Sequence, residues 1–132
     1  MIRCLAALTA AGLLSTGCGT AARQDYLNYR ANEEPTRLAA RLTERVRSCW
    51  FAEDEQGFAG HLYVPELNSF SGRPRILIVR ASEPTGLPRL VIQAAAANSG
   101  AEVRLFGPML GETPGRRIER DVARWVGGAR DC

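Results

Sequence analysis

Four cysteines and a single histidine are the residues with the widest chemical scope in this 132-residue chain. Cys4 and Cys18 lie in an apolar N-terminal stretch, and Cys49, His61 and Cys132 lie beyond it. A zinc site needs three or four ligands, and one histidine beside two cysteines that can oxidise to each other does not supply them. We therefore predict no metal site and no cofactor.

The motifs of common enzyme classes are also missing from the sequence. It contains no G-x-S-x-G, no H-E-x-x-H and no glycine-rich turn between a strand and a helix. His61 is interpreted as a structural or exposed residue, and no catalytic residue is assigned. A serine and His61 that are distant in the sequence but brought together by the fold would still allow a hydrolase.

The first 17 residues have the pattern of an export signal. Arg3 precedes the apolar run Leu5–Leu14, and the small residues Ser15, Thr16 and Gly17 follow it. A charged start, an apolar centre of about ten residues and a small-residue exit are typical of a secretory signal peptide. The run is too short for a transmembrane helix, which needs roughly twenty apolar residues.

The end of this run resembles the lipobox of bacterial lipoproteins, where small residues precede a cysteine that receives lipid and becomes the N-terminus. The family usually has leucine three residues before that cysteine, whereas here Ser15 stands there and Leu14 lies one place earlier. The resemblance implies cleavage after residue 17, acylation of Cys18, and a lipid-anchored tether over 18–34. It also implies a cell-envelope location with the bilayer as a partner. Gly19 follows the cysteine, where aspartate is linked to inner-membrane retention, so the outer membrane, facing the periplasm, is favoured.

Cys49 and Cys132 remain once Cys4 leaves with the signal and Cys18 carries lipid. Exported chains mature in an oxidising compartment, where an even remainder of cysteines indicates a disulfide. A bridge between such distant positions would stabilise the fold by about 4–5 kcal/mol in the chain-entropy treatment. Two unpaired thiols, or a bond from one of them to another chain, are the alternatives.

The charge of the chain argues against nucleic acid as a partner. All seventeen basic residues are arginine, and the formal charge is only +3. Lysine chemistry, including Schiff bases and the phosphate-binding lysine of a P-loop, is therefore excluded. Such a small positive excess makes no electrostatic case for binding nucleic acid.

Residues 35–132 are predicted to form one α+β domain, in which a four-stranded antiparallel meander is flanked by an N-terminal and a C-terminal helix. Apolar residues at intervals of three to four predict a helix over 35–50, with Asn32 as its cap. Thr113 is expected to cap the second helix, and Pro114 to take its first position. Both helices have one apolar side and can pack on the same face of the sheet.

The strands are predicted at 58–64, 75–81, 89–93 and 102–106, with a continuation of the third strand into 94–97 as an alternative end. Pro65 is expected to end the first, because proline cannot donate to a strand ladder. The second has a continuous apolar centre, Ile-Leu-Ile-Val, which suits a strand covered on both faces. Short connections between the strands require antiparallel pairing.

Two stretches are candidates for binding. Asn68, Ser69, Phe70 and Arg73 lie in the polar loop 66–74, whose composition could hold a peptide, a glycan or a partner surface. A purely structural loop is the alternative. The second stretch contains Phe106, Met109 and Leu110, which are expected to close the core over the sheet rather than face a partner.

The segment Val46-Arg-Ser-Cys-Trp50 ends a helix and precedes strands. It resembles the periplasmic C-terminal modules of TolA- and TonB-type envelope proteins, over about half of the chain. Those modules do not end with a proline-initiated helix after a four-stranded meander. The resemblance implies a module that binds protein partners by β-augmentation.

The sequence therefore predicts a non-enzymatic envelope lipoprotein that acts as an interaction or structural module, with an envelope protein as its partner. The alternative is a small-ligand or glycan binder, or an unusual hydrolase, that uses the loop 66–74.

Overall fold

The computed structural model describes residues 26–53 and 55–132, so the predicted signal peptide and Cys18 lie outside the described residues. The described chain forms an antiparallel sheet with two α-helices on one face. The elements in chain order are β1 (Tyr26–Ala31), α1 (Pro35–Trp50), β2 (His61–Glu66), β3 (Arg75–Arg80), β4 (Leu90–Ala96), β5 (Ala101–Phe106), a 3-10 turn (Pro108–Gly111) and α2 (Gly115–Val126). The strand order is β1-β5-β4-β3-β2.

The α+β class is confirmed, but the predicted strand count of four is wrong, because the sheet has five strands. The additional strand is β1, which lies inside the stretch 18–34 predicted to be a tether. It pairs antiparallel with β5, so that Tyr26 lies opposite Phe106 and Ala31 opposite Ala101. Alternate residues of β1 pack against the core: Leu27, Tyr29 and Ala31.

Pro65 does not end β2 as predicted, since the strand continues through Glu66 and Pro65 lies opposite Ile76. β2 is an edge strand, and proline is tolerated there because a backbone nitrogen facing away from the sheet needs no ladder partner. β2 also begins later than predicted. Phe58, expected in the strand, is instead buried in the turn before it.

α1 has the predicted bounds, but Glu34 caps it instead of Asn32. The Glu34 carboxylate accepts hydrogen bonds from the backbone amides of Thr36, at 2.9 Å, and Arg37, at 3.0 Å. These two bonds favour the ionised carboxylate and hold the pKa of Glu34 below its ordinary value. The cap therefore satisfies two amides that would otherwise lack partners in the first turn.

α2 begins without a side-chain cap, so the prediction for Thr113 is wrong. Pro114 occupies the capping position, and its carbonyl accepts the first helical hydrogen bond from Ile118. Ile118, Val122 and Trp125 form the apolar side of α2 and are fully buried. α2 ends at Val126, and Gly127 is its C-terminal cap.

Both helices cover the same sheet face, as the sequence predicts. The sheet residues of the core cluster alternate along each central strand: Ile76 and Ile78 in β3, Leu90, Ile92 and Ala94 in β4, and Ala101, Val103 and Leu105 in β5. Trp50 of α1 stacks on Phe58 at 4.7 Å between ring centroids and packs against Trp125 of α2 at 5.1 Å. One core therefore joins the two helices to the sheet.

Candidate interaction surfaces

The predicted Cys49–Cys132 disulfide is confirmed, with 5.3 Å between the two Cα atoms. Cys49 is buried near the end of α1, and Cys132 is exposed at the end of the tail behind α2. The bridge thus ties the tail to the first helix.

Polar contacts hold the same tail. The indole nitrogen of Trp125 donates to the carbonyl of Asp131 at 3.0 Å. Arg124 donates to the carbonyl of Cys132 at 2.9 Å and pairs with the Asp131 carboxylate at 2.8 Å. Arg45 of α1 also donates to a tail carbonyl, that of Arg130. These contacts give several of the arginines a structural role.

Asp121 is a fully buried carboxylate where α1 and α2 meet. The indole nitrogen of Trp50 donates to it at 3.0 Å, and Arg117 and Arg124 lie 3.4 and 3.5 Å from its oxygens. Arg117 also bonds Glu55 at 2.6 Å, and that bond lowers the pKa of Glu55. Because these groups are paired with one another, the cluster is a structural lock between the helices.

His61 starts β2, and its Nδ1 lies 3.0 Å from the carbonyl of Ala59. Across residues 26–53 and 55–132, no group of three or more histidine, cysteine, aspartate or glutamate side chains converges to hold a metal ion. No helix within the same ranges is long and apolar enough to cross a bilayer.

Three of the four predicted binding residues come together in the loop between β2 and β3. Asn68, Ser69 and Phe70 line a hollow of about 770 Å³, whose other lining residues are Pro65, Glu66, Leu67, Ser71 and Arg75. Arg73, the fourth, does not line it. Phe70 is fully exposed, so it does not belong to the core.

Local hydrogen bonds shape this loop. The Ser69 and Ser71 hydroxyls are 2.7 Å apart, and the amide of Gly72 donates to the carbonyl of Ser69 at 3.0 Å. Gly72 has φ of +66°, a conformation that glycine adopts without strain. An ion pair between Glu66 and Arg75 closes the base of the loop. Phe70 is thus presented at the tip of a hydrogen-bonded turn.

The face of the sheet opposite the helices, here called the open face, carries a second surface that sequence reasoning missed. One residue from each strand lies in register across it: Tyr26, Phe106, Val91, Leu77 and Val64. We call these five residues the apolar row. Phe106, predicted to close the core, is 37% exposed in this row, whereas Met109 is buried as predicted.

A polar row lies beside the apolar row, two residues along each strand. It consists of Asn28, Arg104, Gln93, Arg75 and Glu66. The Arg104 guanidinium lies 5.9 Å from the ring centroid of Tyr26 and pairs with Glu102 at 3.0 Å. The open face is therefore apolar towards one end of the sheet and polar towards the other.

The two ends of the sheet differ in what they present. At the end where β1 begins, called the Tyr26 end, are the apolar row, Leu62 and the β3–β4 loop with Leu87. At the opposite end, called the Phe70 end, are the β2–β3 loop and the β4–β5 turn. Tyr26 and Phe70 thus mark opposite ends of the domain.

Comparison of the chain with protein-family models, with curated proteins and with solved structures yields no match.

Proposed function

We propose that this chain is an envelope lipoprotein, anchored through acylated Cys18, that acts as a non-enzymatic interaction module and binds a protein partner with the loop around Phe70. Gly19 after the acylated cysteine favours the outer membrane, with the domain facing the periplasm. The disulfide between Cys49 and Cys132 supports an oxidising compartment, because such bonds persist there and are rare in the cytosol.

The observation that carries the binding proposal is the full exposure of Phe70 on a hydrogen-bonded turn. A phenylalanine side chain gains about 1.5–3 kcal/mol when it is buried from water. Aromatic side chains held in place on one partner are favoured anchors of protein interfaces, because little conformational freedom is lost on binding. Asn68 and Ser69 beside the ring supply hydrogen-bonding groups for the rim of such an interface.

The position of this loop also fits an anchored protein. The chain between Cys18 and the domain joins the sheet at Tyr26, and Phe70 lies at the other end of the sheet. A module tethered near the Tyr26 end therefore presents Phe70 away from the membrane, where a soluble or envelope-spanning partner can reach it.

Affinity capture from envelope extract with matched variants tests the proposal. The partner recovered with the wild-type protein should be lost with Phe70→Ser and kept with Leu87→Ser, which removes an equally exposed apolar side chain at the opposite end. Equal recovery with all three proteins would refute the role of the loop. The anchor is tested by Cys18→Ala, which should leave the membrane fraction or accumulate as an uncleaved precursor.

The second candidate is a small-ligand or glycan binder, favoured by the hollow of about 770 Å³ beside Phe70. This volume lies within the range of roughly 300–1,000 Å³ typical of ligand sites. Saturable calorimetric binding of soluble glycan fragments, abolished by Asn68→Ala with no protein captured, would establish it in place of the protein-binding function.

A further inference from the structure

We propose that the Tyr26 end of the open face docks on the surface of the lipid bilayer. The inference rests on the proposed anchoring of Cys18, and it adds a second, non-covalent contact between the folded domain and the membrane. Four side chains form this docking surface: Tyr26, Leu62, Leu87 and Phe106.

The distribution of exposed apolar side chains supports this surface. Five large hydrophobic side chains are exposed among the described residues, and Phe70 is the one at the Phe70 end. The other four lie at the Tyr26 end, with Leu62 44% and Leu87 90% exposed. Val91, between them in the apolar row, is buried, so the exposed side chains flank a covered centre; exposed apolar side chains gathered at one end of a domain are expected at a protein or membrane contact.

The point where the chain joins the domain selects a membrane over a protein as the occupant. Tyr26 belongs to the apolar row and follows Cys18 by eight residues. Even a fully extended chain of that length spans at most about 29 Å. The five-stranded apolar row is itself about 19 Å wide at ordinary strand spacing. A lipid attached at Cys18 thus keeps the bilayer within about 29 Å of Tyr26, or about one and a half times the width of the row.

The polar row fits the headgroup layer of the same bilayer. Two residues along a strand span about 7 Å, and interfacial segments bury their apolar side about 5–10 Å into the headgroup and acyl boundary. With Tyr26 and Phe106, the exposed members of the apolar row, inserted, the side chains of Arg75 and Arg104 lie at the height of the lipid phosphates. Each arginine already pairs with a carboxylate, Glu66 or Glu102. Burial of apolar side chains, rather than attraction to anionic lipid, therefore provides the contact.

Site-specific photo-cross-linking in the membrane tests the inference. The full chain is expressed with p-benzoyl-phenylalanine at position 62 or 87, and with the same probe at position 70 as the matched control. Envelope membranes are irradiated, and the tryptic peptides are weighed by mass spectrometry. Lipid adducts are expected at positions 62 and 87, and none is expected at position 70. Position 87 is so exposed that its probe does not disturb the core.

The outcomes separate this inference from the proposed function. Protein adducts at positions 62 and 87, including a second copy of this chain, would overturn it in favour of a protein interface. No adduct at either position, in protein that fractionates with the membrane, would also overturn it while leaving the anchor intact. If the wild-type protein does not fractionate with the membrane, the anchor fails and the docking inference fails with it.

Discussion

Removing the disulfide with Cys132→Ser should lower the free energy of unfolding while leaving the core in place. Cys132 is exposed, whereas Cys49 is 1% exposed. The tail keeps its hydrogen bonds from Trp125 to Asp131 and from Arg124 to the backbone of residue 132. Most of the loss should therefore arise in the unfolded chain, which gains conformational freedom when the bridge is gone.

The size of the effect follows from the loop that the bridge closes. The two cysteines are separated by 83 positions, and the chain-entropy treatment gives about 4.6 kcal/mol at 25 °C for a loop of that length. Fraying of the released tail and residual structure in the unfolded chain change this value, so we expect a loss of about 3–5 kcal/mol. A small domain has roughly 5–15 kcal/mol of stability in all. The variant should thus be close to the limit of folding.

Urea unfolding, followed by the fluorescence of the buried Trp50 and Trp125, measures the loss, with the wild type kept oxidised and reductant added only to the variants to prevent dimers. Cys49→Ser is the matched variant, because it removes the same bridge but places a hydroxyl in a buried site. It should cost about 1 kcal/mol or more beyond Cys132→Ser. A Cys132→Ser protein within about 1 kcal/mol of the oxidised wild type would refute the entropic reasoning. Two free thiols in the wild type, seen by non-reducing mass spectrometry, would refute the bridge itself.

Three further predictions concern the fold. Asp121→Ala should cost about 1–3 kcal/mol in urea unfolding, because it leaves the buried indole nitrogen of Trp50 without its acceptor and removes one of the carboxylates that pair with Arg117 and Arg124; a loss below about 0.5 kcal/mol would contradict the lock between the helices. Gly100→Ala should lower the free energy of unfolding by about 2 kcal/mol or more, because its Cβ would lie 2.0 Å from the Ala31 carbonyl oxygen. Gly60→Ala is the control: Gly60 has a similar φ but open space around it, so this variant should lose less stability. Equal losses would argue against β1 in the sheet. Glu34→Gln should destabilise the protein at neutral pH, because it removes the charge of the cap. The difference in stability between the variant and the wild type should shrink as pH falls through the lowered pKa of Glu34. Thermal unfolding at several pH values measures it, and a difference in stability that does not depend on pH would contradict the charged cap.

The helices were predictable because their apolar residues recur with the helical period and so mark the one side that packs against the core. Leu38, Leu42 and Val46 recur along α1 and are all buried, so the bounds of α1 followed from the pattern alone. The caps were less predictable. Asn32 and Glu34 are both plausible caps by residue type, and only the backbone path decides which one meets the first amides.

β1 was missed because its evidence is not local. Its sequence, Tyr-Leu-Asn-Tyr-Arg-Ala, is short and follows small residues that read as a tether. What makes it a strand is pairing with β5, about seventy to eighty residues away along the chain. Pro65 led to a strand predicted too short. Proline ends a central strand but is tolerated in an edge strand, and the sequence does not show which of the two β2 is.

The apolar row could not be predicted either, because it depends on the register between strands that are distant in the sequence. The sequence does contain one indication of it, in β3. The continuous apolar centre of β3 predicts cover on both faces. The helices cover Ile76 and Ile78, whereas on the other face Val79 is also buried and Leu77 is only partly buried. Leu77 lies in register with Val64 of β2 and Val91 of β4, and Val91 with Phe106 of β5 and then Tyr26 of β1, so these residues form a row across all five strands. Leu77 is therefore the β3 residue that this face leaves partly exposed, and the bilayer contact proposed here, held near Tyr26 by the proposed lipid on Cys18, would cover it.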